Sequence, residues 1–337
     1  MQRMSCIIAI WWTLMIAMAV PSQAQAPSSL SDLASTSRLN FKAAVENGTF
    51  EWFFLLVDAG KDTDIWAKNG LQPEFVPAAA SFTQLKERIE SGAKIGFSNA
   101  AEVTLARSFG IPVKTVAAYF GETTARIFVG ANDEAKKARD LDGKKIGIVA
   151  ATHTSYRTVL YMNKILGINA EPVALGSLQA NVAALKSGQI QAFYSAEGAA
   201  LTLVDSGDLR LLLQLSDIYP KPYTAVVVWT TEDMIATDPD LVKRFVGATL
   251  EIVAFLKANP SYASELYVKR TGFPRSVADK AVASLNQILS PSGRGSGDDL
   301  VAAVAGNWRF IVESGAVLND PPINIEGVVD ASFLPLK

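Results

Sequence analysis

The feature that most constrains this chain is an alternation of strand-like and helix-like segments that begins near residue 39 and stops near residue 230. Short β-branched and aromatic runs at 39–45, 71–76, 94–97, 113–118, 126–130, 145–149, 172–175, 190–194, 209–215 and 224–230 read as strands. Between them, 81–90, 100–109, 154–166, 178–186 and 197–204 carry apolar residues at helical spacing. Such alternation specifies βαβ units and mostly parallel sheets, because a parallel pair needs a crossover long enough to hold a helix. From Asp240 the strands give way. Residues 241–257, 262–270, 276–289 and 300–313 read as four helices, separated by Pro260, by Gly272-Phe273-Pro274 and by a Gly-rich stretch at 290–297. At 337 residues the chain is long enough for about two domains.

An internal echo bears on how those domains are built. Residues 91–98 read SGAKIGFS and residues 187–195 read SGQIQAFYS, each between a helical stretch and a hydroxyl-bearing loop. Either the chain builds the same helix–strand–helix step once in each of two similar lobes, or Ser-Gly recurs as an ordinary helix end.

Composition removes whole classes of function. Lys and Arg total 31 against 33 Asp and Glu, a net charge of −2, so nothing favours nucleic acid. One His and one Cys leave almost no material for a zinc site or a Cys/His catalytic pair. The N-terminus reads as an export leader. Arg3 precedes an apolar run from Ile7 to Val20, too short for the roughly 20 residues that span a bilayer, and small residues follow. Cleavage after Ala24 is expected to make residues 1–24 a signal peptide, remove Cys6, and leave a mature periplasmic chain starting near Gln25.

In open α/β sheets a ligand sits in the crevice beyond the carboxyl ends of the strands, so residues just past each strand are the candidates. They are Asn47, Thr49, Phe50 and Trp52; Ser98 and Asn99; Thr152, His153, Thr154 and Ser155; Ser195 and Glu197. Thr152 to Ser155 open a helix whose free N–H groups and hydroxyls suit an anion, although a Thr or Ser there also caps its own helix. His153 either donates to a carboxylate or sulfonate, with a charge that responds near pH 6–7, or is an exposed loop residue. Arg126 and Arg157 are candidates for a bidentate anion clamp, though Arg157 also reads as solvent-facing. Tyr119, Tyr194 and Tyr223, with Phe50 and Trp52, would form an aromatic wall, unless Trp52 is ordinary core. The Gly293 to Gly297 stretch reads as a mobile loop and not as a phosphate cradle.

Several blocks resemble a known family. Ala67-Lys68-Asn69-Gly70-Leu71 followed by Glu74-Phe75-Val76, the SGAKIGFSN stretch at 91–99, Gly110-Ile111-Pro112-Val113, the block 140–148 around Asp140-Leu141-Asp142-Gly143-Lys144, and Ala184-Leu185-Lys186-Ser187-Gly188 occur in that order. They resemble the periplasmic substrate-binding proteins of ABC importers for nitrate, sulfonates, taurine and thiamine precursors. Where that family commonly shows Trp-Glu-Pro, this chain has Ala196-Glu197-Gly198, keeping only the Glu. A related enzyme class on this fold, which uses its own His and a Cys cluster, does not fit a mature chain without cysteine.

The resemblance implies an α/β fold of the type II periplasmic-binding kind, with two similar lobes joined by a two-strand hinge. Lobe one would take residues 38–121 and 222–337, and lobe two residues 122–221. The expected function is solute binding for an importer: a monomer that closes on a small organic ligand with one anionic or polar head and delivers it to a membrane permease. No cofactor, metal or catalytic residue is expected. The alternative is a small-molecule-converting enzyme using Glu197 and His153 as acid and base.

Overall fold

The computed structural model describes residues 39–46, 51–78, 82–151, 153–196, 198–315 and 324–335. The expected leader, residues 1–24, lies outside them. The strands are β1 (Leu39–Glu46), β2 (Leu71–Ala78), β3 (Ile95–Asn99), β4 (Val113–Phe120), β5 (Arg126–Gly130), β6 (Lys145–Ile148), β7 (Glu171–Ala174), β8 (Ala192–Ser195), β9 (Leu209–Gln214) and β10 (Val226–Thr231). Each run read as a strand is one, with its ends displaced by a residue or two.

Two five-stranded sheets result, in the orders β2-β1-β3-β10-β4 and β7-β6-β8-β5-β9. They are not mostly parallel. β10 runs antiparallel to β3 and β4, and β5 runs antiparallel to β8 and β9. The reason is the chain path. It leaves the first sheet after Phe120, enters the second at Arg126, and returns between Gln214 and Val226. Each sheet therefore receives one strand from the edge where its other strands end. β5 and β10 are almost wholly buried, so their apolar runs carry no mark of direction. Apart from which strand is the reversed one, the two sheets share one order, and β3 and β8 hold the same place in it. The echoed segments at 91–98 and 187–195 thus build equivalent steps.

The helices are α1 (Glu51–Asp62), α2 (Ile65–Lys68), α3 (Phe82–Glu90), α4 (Ala100–Ser108), α5 (Thr154–Leu166), α6 (Leu178–Lys186), α7 (Ala199–Asp205), α8 (Glu232–Thr237), α9 (Pro239–Ala258), α10 (Pro260–Thr271), α11 (Arg275–Ile288), α12 (Leu300–Glu313) and α13 (Ile325–Val328). α9 shows why the sequence folds as it does. Asp238 accepts a hydrogen bond from the Leu241 N–H at 3.1 Å, Pro239 fills the first turn, and buried residues then recur at helical spacing from Leu241 to Leu256. That stripe seals the first sheet. Phe245 stacks on Trp66 at 5.3 Å and on Phe97 at 5.2 Å between ring centroids. The second sheet has its own apolar cluster around Phe128, Phe193 and Ile190.

The Gly-rich stretch is not a mobile loop. It packs on the return crossing, where Ser296 Oγ accepts from Tyr223 N–H at 2.6 Å and the Gly293 carbonyl accepts from Ala118 N–H at 2.8 Å. Gly293 and Gly295 both have positive φ, and a Cβ on Gly295 would press on Ala303 and the Tyr223 carbonyl, so the glycines permit close packing.

Candidate functional site

The first turns of α4 and α5, each following a strand of a different sheet, meet between the two sheets. Glu102 of α4 and Arg157 of α5 form an ion pair there, and Arg157 also donates to Thr154 Oγ1 at 3.3 Å. Both side chains are buried. Arg157 therefore neither faces solvent nor stands ready as an anion clamp, because its charge is met by Glu102. Buried polar side chains stand at the ends of the elements that lead here: Ser98 and Asn99 at the end of β3, His153, Thr154 and Ser155 at the start of α5, and Ser195 at the end of β8. Such groups are rarely buried without partners.

His153 is buried and not exposed. Its Nδ1 accepts from the Ser155 N–H at 3.0 Å, making it the capping side chain of α5. Ser155 Oγ in turn accepts from Val149 N–H at 3.1 Å. Burial, reinforced by the positive charge of Arg157, pushes the His153 pKa down to about 4. The ring is neutral at pH 7, so its charge does not respond near pH 6–7. It lies edge-on to Tyr194, with centroids 6.2 Å apart.

Below the α5 terminus the return crossing supplies more aromatic surface. Tyr219 shares a 2.6 Å hydrogen bond with Thr158 Oγ1, and its ring lies 5.1 Å from Tyr223 and 4.7 Å from Phe310. Burial, and then the neighbouring phenols of Tyr219 and Tyr194, raise the Tyr223 pKa well above its ordinary value, so it stays a neutral phenol. Tyr119 goes elsewhere. It is fully buried, with its ring 5.4 Å from Phe97 and 5.1 Å from Phe120, inside the aromatic core of the first sheet.

Of the expected residues, His153 lies beside Tyr194 and caps Ser155, Thr154 meets Arg157, and Ser98 and Asn99 are buried at the end of β3. Trp52 falls in α1, and Asn47, Thr49, Thr152 and Glu197 lie outside the described residues. Sequence reasoning missed Glu102, Thr158 and Tyr219. Glu102 is an ordinary helical Glu whose partner lies far along the chain. The Thr154/Thr158 spacing does place both on one helix face, and that was a usable signal. Among the described residues no group of His, Cys, Asp and Glu is arranged to hold a metal, and no described helix is long and apolar enough to cross a membrane.

Residues 59–263, well over half the chain, match the NMT1/THI5-like family. The chain belongs to that family. The riboflavin-binding protein RibY of Chloroflexus aurantiacus is 28% identical over 178 residues, 52% of this chain and 50% of RibY. The chain thus spans about half the length of the curated relative it matches. Among solved structures, the periplasmic aliphatic sulphonate-binding protein SsuA of Escherichia coli aligns with a TM-score of 0.71 at 15% identity, covering 88% of this chain and 94% of SsuA. The desulfurization enzyme DszB aligns with a TM-score of 0.60 at 15% identity, covering 87% of this chain and 97% of that one. The fold is that of periplasmic binding proteins.

Proposed function

We propose that this protein is the extracytoplasmic solute-binding component of an ABC importer, closing its two lobes on a small organic ligand and handing it to a membrane permease. Lobe one is residues 38–121 with 222–337, lobe two is residues 122–221, and the mature chain is a periplasmic monomer starting near Gln25. The observation that carries the reading is the set of buried polar side chains at the ends of β3 and β8 and the start of α5, with Tyr194, Tyr219 and Tyr223. Polar side chains at strand ends and a helix start, beside phenol rings, are the chemistry that a small ligand with a polar head and an apolar body would meet. Family membership, and the solute-binding names of several solved structures that share the fold, support it.

The ligand fitting these groups has one anionic or strongly polar head, such as a sulfonate or carboxylate, and an apolar or aromatic body. A polyphosphate would demand more fixed positive charge. Asn47, Thr49, Trp52, Thr152 and Glu197 belong to the proposed site with Ser98, Asn99, His153, Thr154, Ser155 and Tyr194. The test is a thermal-shift screen of the purified protein against small metabolites. A stabilising compound recovered chemically unchanged supports binding. Turnover of that compound would favour the second reading, an enzyme using Glu197 and His153, for which the likeness to DszB speaks. Replacing Thr152 and Thr154 together by Val should weaken binding at least about tenfold while the free protein stays folded, as calorimetry would show.

A further inference from the structure

The positive groups between the two sheets differ in what neutralises them. Arg157 is paired with Glu102, and His153 is uncharged at neutral pH. Arg126, the first residue of β5, is different. It is 7% exposed, its Nη1 donates to the Thr124 carbonyl at 2.7 Å, and its Nη2 donates to Ser284 Oγ at 2.5 Å. Both acceptors are neutral, and among the described residues no carboxylate pairs with it. The strands beside it, β8 and β9, place Ser195 and Gln214 opposite it in register, neither of them charged. Among the described residues, carboxylates of nearby elements have partners of their own: Asp205 has Lys280, Glu122 has Lys221 at 2.9 Å, and Glu102 has Arg157. Burial lowers the Arg126 pKa, yet a guanidinium starts so far above neutrality that it remains a cation. A buried cation without a counter-ion is costly to the fold, and the cost is met where a ligand supplies the missing charge.

Resting on the reading of this region as a ligand site, we propose that Arg126 receives the anionic head of the ligand as its counter-ion. One cation without a counter-ion among the described residues matches a head with a single negative charge. The fork of a guanidinium selects a group with two or more adjacent oxygens, a carboxylate or a sulfonate. Thr124, on the outward crossing, and Ser284, on α11, hold the guanidinium from two separate elements. They orient the fork without neutralising it.

Matched probe pairs test this: pentanesulfonate against pentanesulfonamide, and benzoate against benzamide, with longer aliphatic and bicyclic aromatic bodies of each kind. The wild-type protein should bind at least one acid and reject its amide. Arg126→Gln should weaken that acid at least about thirtyfold by calorimetry, and Arg126→Lys less, since the charge remains. Free Arg126→Gln should melt no lower than wild type, because removing an uncompensated cation relieves a cost. Equal binding of acid and amide, unchanged affinity in Arg126→Gln, or a large fall in the melting temperature of free Arg126→Gln would overturn the assignment and leave the solute-binding reading standing. A wild-type protein that binds no probe, and that native mass spectrometry finds free of any small molecule when isolated, would overturn both.

Discussion

His153 places one ring in two roles, as the acceptor that caps α5 and as a neighbour of Tyr194. The consequence for pH has a definite sign. The folded pKa of about 4 lies below the ordinary imidazole value of 6.5, so between those values the unfolded chain binds the proton and the folded one does not. Stability from this group is complete above about pH 6.5 and is lost as the pH falls through about 4. At 1.36 kcal/mol per unit the loss amounts to about 3 kcal/mol. His153→Asn keeps a capping acceptor but cannot titrate. Its melting temperature should fall less than that of wild type between pH 6.5 and 4, which calorimetric scans at stepped pH would reveal; parallel curves would count against burial as the cause. The sequence offered this residue without its environment. A lone His after a strand reads equally as surface or interior, and only the closeness of Arg157 and the cap to Ser155 decide between them.

Among the elements, α9 and α12 show how far local propensity carries. Each contains a glycine inside the helix, where Ala is ordinarily better by about 1 kcal/mol. A Cβ on Gly247 of α9 would meet nothing within 4 Å, so Gly247→Ala should raise the melting temperature by a few degrees. A Cβ on Gly306 of α12 would collide with the Pro222 carbonyl on the return crossing. Gly306→Ala should lower the melting temperature despite its better propensity, because the helix must move off the crossing. Thermal melts of the two variants side by side check both signs. The helices themselves were legible from capping residues and periodicity: α12 begins at Leu300, with Asp299 accepting from Val301 N–H at 2.9 Å. What α12 packs against was not, since no local pattern records that the chain at Pro222 has returned to meet it.

On the scale of the whole molecule, Glu102 and Arg157 fasten one sheet's helices to the other's at a buried contact. Glu102→Gln would leave Arg157 buried without a counter-ion, at a cost of about 3–5 kcal/mol, whereas replacing both residues by neutral ones should recover most of it. A double-mutant cycle on urea unfolding measures this coupling. Small-angle scattering should show the single variant more open than wild type. The alternation of strands and helices was enough to read an α/β architecture and place its strands, because buried strands announce themselves by β-branched runs such as Val226, Val227 and Val228; the two lobes were implied by the family resemblance. Strand direction was not, because an apolar run reads the same forwards and backwards. The antiparallel insertion of β5 and β10 follows from where the chain crosses, a property of the path and not of any segment.

That insertion also sets an order in time. β4 joins the first sheet only through β10, while β10 lies more than a hundred residues further along the chain and is reached after every strand of the second sheet. The second sheet is drawn from one continuous stretch, Arg126 to Gln214. A chain emerging from its N-terminus can therefore complete the later sheet before the earlier one, and nearer pairings are favoured again by the lower entropy of closing shorter loops. Pulsed hydrogen exchange during refolding should find the amides of Phe128 and Phe193 protected before those of Val116 and Val228. The part of the protein made first is finished last, and until then its aromatic core around Phe97 lacks α9 and stays open to other chains.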